Sequence, residues 1–147
     1  MIAKEKLNIL WSLEQTAEKY ADRVAVSDVN QELTWKELVK KAQVIGAELS
    51  EKVQPGNPVP VLLEKSSETL AVMLGIVYAG CFYVPVNPMN PTERLRKIME
   101  KLDPEVIISD EKGKEQLAAV GNGLENKVMG PEALKTATGC LLYTSDA

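Results

Sequence analysis

The sequence predicts an α/β domain with a largely parallel sheet, and three observations carry that reading. Segments with helical apolar spacing alternate with short β-branched runs along the chain. Proline and glycine clusters punctuate the junctions between them. The length of 147 residues, with 45% apolar content, suits one compact domain of ordinary composition.

Leu7 to Tyr20 reads as a helix, with Leu10, Leu13, Ala17 and Tyr20 on one face at three- and four-residue spacing. Val24 to Val29 alternates as a strand, Asn30-Gln31 is a polar turn, and Glu32-Leu33-Thr34 closes a hairpin. Thr34 then opens the best-specified helix of the chain. Thr34 and Glu37 form a capping box, and Leu33 and Leu38 a hydrophobic staple. Leu38, Val39, Ala42, Ile45 and Leu49 supply its apolar stripe.

Pro55 to Pro58 is a turn and Val59 to Leu63 a short apolar strand. Ser66 or Ser67 caps the next helix, Glu68 to Ala79, which is apolar on every side from Leu70 onward. Such a helix wants cover on more than one face, because each large side chain left wet forgoes ~1.5–3 kcal/mol. A chain this short has few elements to provide it, which suggests that part of the fold is missing.

Gly80 ends that helix in the left-handed region. Cys81 to Val86 is an aromatic and β-branched run that predicts a buried strand. Pro85, Pro88 and Pro91 end regular pairing there. Asn90 is expected to cap a new helix with Pro91 at its first position and Glu93 reaching back. That helix is amphipathic through Leu95, Ile98, Met99 and Leu102, and Asp103-Pro104 stops it. Glu105 to Ser109 is the next strand. Asp110 caps a helix running to Val120, interrupted by Gly113 and ended by Gly121-Asn122-Gly123; Val128-Met129 is a last strand.

Composition excludes several functions. A formal net charge of −4 leaves no electrostatic footprint for nucleic acid or an anionic membrane. Lys36, Lys40 and Lys41 read as a solvated helix face, offset by Glu37. With no histidine, the usual base for a Ser or Cys nucleophile and the commonest zinc ligand are missing. Cys81 and Cys140 form no framework, and Cys81 reads as a reduced core thiol. The glycines show no phosphate-cradle spacing. The N-terminus around Lys4 to Lys6 has no signal-peptide core, and the uncharged stretch Leu70 to Val86 falls just short of the ~18 residues of a membrane span. A cytoplasmic location is expected.

Two stretches carry a family resemblance. Ala79-Gly80, Phe82-Tyr83-Val84-Pro85, Asn87-Pro88, Pro91 and Glu93-Arg94-Leu95 resemble the second core motif of the adenylate-forming (AMP-binding) ligases. Leu33-Thr34-Trp35-Lys36-Glu37-Leu38 resembles the first, in the expected order. Neither motif contains an obvious catalytic group, so Thr34 and Trp35 are read as structural. The resemblance implies ATP-dependent activation of a carboxylate as an acyl-adenylate with release of pyrophosphate, then transfer to a thiol. It implies ATP and Mg²⁺, with phosphopantetheine on a carrier protein or CoA as acceptor. In the family the phosphate-wrapping loop, the acidic residues for Mg²⁺ and ribose, and the aligning lysine all follow the second motif. No catalytic, cofactor-binding or metal residue is therefore assigned to this chain, which alone is expected to be inactive.

Pro91, Glu93-Arg94-Leu95 and Phe82-Tyr83 resemble the amino-acid-activating branch: nonribosomal peptide synthetase adenylation domains and the D-alanine–carrier-protein ligases. Asn87, where those enzymes usually have Asp, resembles acyl-CoA synthetases instead. From a different class, a small complete α/β binding or scaffold protein sharing these turns is the alternative. The last residues, Cys140 to Ala147, need separate treatment. Tyr143-Thr144-Ser145 matches the opening of the family's third motif, but Asp146 would set negative charge where backbone amides should face phosphate. All eight residues are also one reading frame of the transposon-end adapter used in short-read library preparation. The expectation is a truncated N-terminal portion of an AMP-binding large domain over residues 1–139 and a non-native tail over 140–147.

Overall fold

The computed structural model describes residues 8–134. The readings at Leu7, Lys4 to Lys6, Cys140 and the 140–147 tail lie outside them. Helix α1 (Ile9–Lys19) is followed by an antiparallel hairpin of β1 (Val24–Ser27) and β2 (Glu32–Thr34). Then come α2 (Trp35–Ser50), β3 (Pro58–Leu62), α3 (Ser67–Tyr78), β4 (Phe82–Pro85), α4 (Thr92–Leu102), β5 (Ile107–Ser109), α5 (Glu111–Val120) and β6 (Val128–Met129). The last four strands form one parallel sheet in the order β4-β3-β5-β6. The α/β class and the parallel sheet expected from sequence are both present.

The strand alternation divides the core into two layers. Val61 and Ile108 pack with α1, α2 and α3, whereas Leu62 and Ile107 pack with Leu95 and Met99 of α4 and Leu117 of α5. Two prolines survive inside β3 because of the hydrogen-bond register. Phe82 N–H donates to Asn57 O (3.3 Å) and Val86 N–H to Val61 O (3.0 Å), so odd-numbered β3 residues face β4. Pro58 and Pro60 therefore turn toward β5, which pairs only with Val61 and Leu62 and asks no N–H of either proline.

The Thr34–Glu37 capping box forms as expected, both bonds at 3.2 Å, and Thr34 holds the Glu37 carboxyl below its ordinary range. Leu33, Leu38, Ala42, Ile45 and Leu49 are all buried. Gly80 has φ +81°, and Gly121, Asn122 and Gly123 all have positive φ, as a chain reversal there requires.

Several expectations are corrected. The uniformly apolar α3 finds its cover within the chain: Ala71, Val72, Leu74, Ile76 and Tyr78 are buried, leaving Leu70 37% exposed. Two glycines allow this. A Cβ on Gly75 would lie 2.5 Å from Ile45 Cγ2, and one on Gly46 would lie 2.6 Å from Tyr78 Cβ, so α2 and α3 approach more closely than side chains would permit. The Tyr78 hydroxyl donates to Glu14 Oε1 (2.7 Å) and ties α1 to the pair.

Conversely, the aromatic strand is at the sheet edge, with Phe82 50% and Tyr83 39% exposed, although Cys81 is buried as read. Asn90 does not cap α4. Pro91, extended at φ −55° and ψ 147°, is the cap, its carbonyl accepts from Arg94 and Leu95, and Glu93 pairs with Arg96 instead of reaching back. Gly113 does not interrupt α5. It sits in the first turn, where a Cβ would meet Ser109 Oγ at 2.1 Å. The β1 strand also stops short of Val29, which is 98% exposed in the turn.

Candidate functional site

In an open parallel sheet, ligands settle beyond the carboxyl ends of the strands, where neighbouring strands send their chains to opposite faces. Here β3 stands at that point. The chain leaving it enters α3 on one face, whereas those leaving its neighbours β4 and β5 enter α4 and α5 on the other. An open cleft of ≈ 730 Å³ lies there. Leu63 and Lys65 line it after β3, Asn87 and Met89 after β4, and Asp110 and Lys112 after β5.

Each wall is held by local chemistry. After β3, Ser66 Oγ accepts from Thr69 N–H (3.1 Å), and Thr69 Oγ1 donates to Glu64 O (2.5 Å). The same segment is pinned from the hairpin. Asp28 Oδ2 accepts from Ser67 N–H (2.8 Å), while its Oδ1 accepts from Asn30 N–H (2.7 Å) and Gln31 N–H (2.9 Å). These donors, the Ser67 amide foremost, hold the Asp28 carboxyl far below the usual carboxylate range. After β4, Asn87 Oδ1 accepts from Met89 N–H (2.9 Å) and Asn87 O from Asn90 N–H (3.1 Å). After β5, Asp110 Oδ1 accepts from Gly113 N–H (2.8 Å) to cap α5.

The arrangement can hold a polar ligand but offers little reactive chemistry of its own. Lys65 and Lys112 bring positive charge to two walls, set against Glu64 and Asp110. Asp110 is committed to its cap. Among the described residues no group of three or more His, Cys, Asp or Glu side chains is placed to hold a metal ion. Burial pushes the Cys81 thiol up, and its Sγ donates to Gln54 O (3.4 Å), so it is a core group. A smaller groove of ≈ 300 Å³ between α2 and α3 is apolar on Val44, Ile45 and Leu134, with Lys40 and Lys41 at its rim. Among the described residues no helix is long and apolar enough to cross a membrane.

The sequence alone assigns no site residue; the structure lines the cleft with Lys65 and Lys112 and braces its β3 wall with Asp28. A signal existed for the lysines: both follow a strand end and flank a helix start. Nothing in the sequence linked Asp28 to Ser67, because that contact spans 39 positions. The motif residues take structural roles. Thr34 caps, Gly80 turns, Leu95 is buried, and Glu93 joins Glu100 in holding Arg96 on the exposed face of α4. Asn87 shapes the turn through its side-chain carbonyl oxygen, a task an aspartate carboxylate can also perform.

The likeness to known proteins is specific. The model of the family described as AMP-binding enzyme matches residues 13–139. Bacitracin synthase 1 of Bacillus licheniformis is 37% identical over 107 residues, which are 72% of this chain and 2% of that protein. The structure of VinN with 3-methylaspartate superimposes with a TM-score of 0.75 at 28% identity, over 83% of this chain and 34% of that one. The AMPPNP-bound form of FmoA3, a nonribosomal peptide synthetase, superimposes with a TM-score of 0.74 at 26% identity, over 89% of this chain and 14% of that one. The chain thus spans about a third of VinN and far less of the large synthases. A match over most of the chain, with the fold and both motif stretches in place, identifies it: this chain belongs to the AMP-binding enzyme family.

Proposed function

We propose that residues 1–139 form the N-terminal portion of the large domain of an ATP-dependent ligase that activates an amino acid and delivers it to a carrier-protein thiol. In that reaction a carboxylate oxygen attacks the α-phosphate of ATP, and the bond to pyrophosphate breaks. The phosphopantetheine thiol then attacks the acyl carbon and AMP leaves. The observation that supports this reading most is the family match over residues 13–139. The bound 3-methylaspartate of VinN and the bound AMPPNP of FmoA3 favour an amino acid and a nucleotide as the ligands.

The chain's own residues contribute scaffold rather than chemistry. The cleft places Lys65, Asn87 and Lys112 at the strand ends, where a polar ligand edge can be oriented. Mg²⁺ does not fit the residues present, because Asp110 is engaged in its cap and the described residues gather no acidic cluster. A cytoplasmic location and a non-native 140–147 tail belong to the same proposal.

Amino-acid-dependent ATP–pyrophosphate exchange tests this. The 147-residue chain should show none above background, and the longer reading frame recovered from the source DNA across codon 139 should show it. Exchange with fatty acids and transfer to CoA would move the assignment to an acyl-CoA synthetase. A DNA frame that encodes residues 140–147 and then stops would leave the small binding protein as the better reading.

A further inference from the structure

We propose that Asn122, in the reversal between α5 and β6, is a modification site at which the chain deamidates itself, the Gly123 nitrogen attacking the Asn122 side chain. The sequence holds seven asparagines, and the structure sets six of them aside. Asn57, Asn87 and Asn90 each precede a proline, whose nitrogen carries no hydrogen and cannot attack. Asn8 has its Oδ1 tied to Leu10 N–H (2.9 Å), and the β-branched Ile9 after it shields the amide. After Asn30, the Gln31 N–H is spent on Asp28 Oδ1 (2.9 Å). Asn126 lies inside the 3₁₀ turn Leu124–Lys127, whose tight backbone holds the next amide away from the side chain.

Asn122 differs on every count. It is exposed, stands at φ +62°, and precedes Gly123 at φ +71°. Glycine sets no side chain against the ring that must close, and its backbone turns freely enough to bring the nitrogen to the carboxamide. Among the described residues no hydrogen bond holds the Asn122 side chain, the Asn122 carbonyl or the Gly123 N–H. The neighbouring bonds pass this peptide by: Gly121 N–H donates to Ala118 O (3.2 Å), and Asn126 N–H to Gly123 O (3.1 Å). A Cβ built on Gly121 would meet nothing within 4 Å, so the reversal has open space in which to rotate.

Water is the one co-reactant. The Gly123 nitrogen loses its proton to solvent base and bonds to Asn122 Cγ. The Cγ–nitrogen bond of the carboxamide breaks, and ammonia leaves carrying a proton from solvent. Water then opens the resulting succinimide. Addition at the side-chain carbonyl gives aspartate, and addition at the main-chain carbonyl gives isoaspartate, whose backbone runs through Cβ. Either product makes the formal net charge one unit more negative than the present −4. The new carboxylate falls on the groove between α4 and α5 that Asn122 lines together with Arg96, Glu100, Asp103 and Lys127. Isoaspartate is also the substrate class of S-adenosylmethionine-dependent isoaspartyl carboxyl methyltransferases, so the aged site takes a methyl group.

The test is to age the folded chain in mildly alkaline buffer, well below its melting temperature, and to map its peptides by mass spectrometry. The peptide holding Asn122 should convert first, as two isomers, while the other six asparagines stay intact. Isoelectric focusing should show the aged chain more acidic, and conversion should quicken as the pH rises, because the attacking nitrogen must lose its proton. An isoaspartyl carboxyl methyltransferase with labelled S-adenosylmethionine should mark the aged chain and leave the fresh one unmarked. Gly123→Ala should slow conversion by about tenfold or more. Asn122→Gln should abolish it, since a longer side chain must close a larger ring, and this variant leaves the positive-φ Gly123 untouched. Circular dichroism establishes that both variants fold. Conversion at Asn30 or Asn126 ahead of Asn122 would overturn the assignment. So would an Asn122 that stays intact in the folded chain and converts only in urea, because the reversal would then hold the amide out of reach.

Discussion

Helix α3 and strand β4 adjoin in sequence and exchange the environments their compositions suggest. The helix, apolar on every side, is almost wholly buried, while the aromatic strand after it is half exposed. The reason is topological. α3 lies between α2 and the sheet, so every face of the helix but that at Leu70 meets protein. β4 is last in the order β4-β3-β5-β6, so among the described residues nothing flanks it on one side. Hydrophobicity states that a segment needs cover, and only the arrangement of elements states whether it has any.

The sharpest form of the contrast is Ile76→Ala against Phe82→Ser. Ile76 is fully buried, and its truncation should cost about 2–5 kcal/mol in chemical denaturation. If Ile76→Ala were nearly neutral, the α3 layer would be far looser than described. Next in size is Gly75→Ala. A methyl there gains helix propensity but meets Ile45 Cγ2 at 2.5 Å and Ala42 O at 3.0 Å, so a net loss of about 1–3 kcal/mol is expected. Adding Ile45→Ala should recover part of that loss only if the two helices truly touch at this point, since non-touching residues would add independently.

Thr34→Ala removes the cap that seats α2 against α3 and should lower stability by about 0.5–2 kcal/mol. Asp28 tests the other end of the same layer. Its pKa is depressed on folding, so its contribution is present above the ordinary value of 3.8 and fades as the pH falls through the lower folded value. Asp28→Ala should therefore lose stability at neutral pH and show a shallower decline on acidification below about pH 4 than the parent chain. Equal acid slopes in the two proteins would mean that Asp28 does not hold Ser67. Phe82→Ser, at a half-exposed edge position, should cost only about 1 kcal/mol in this chain, well below the loss at Ile76. A loss as large as that of Ile76→Ala would show β4 to be covered and would remove the contrast.

Local signals were readable because their physics is local. The Thr34–Glu37 box, the left-handed Gly80 and the Asp110 cap each involve residues within a few positions, and each formed as the sequence implied. The motif stretch Ala79 to Leu95 was legible for the same reason: helix end, strand, turn and helix follow one another without a gap. Its corrections are local too. Pro91 stands as the α4 cap in place of Asn90, because the helix begins one residue later than expected, at Thr92, with the Pro91 carbonyl accepting from Arg94 and Leu95.

The sequence by itself determined the α/β class, the order of elements, most of the helix caps and the family motifs, because periodicity and turn chemistry act over a few residues. The tertiary structure decided the rest. It set the strand order that exposes Phe82 and Tyr83, the glycine contact that buries α3, the clasp of Asp28 on Ser67, and the meeting of Lys65, Asn87 and Lys112 at one cleft. Each of these depends on which elements become neighbours across dozens of residues. Strand order follows from packing every element at once, and no single stretch of the chain encodes it.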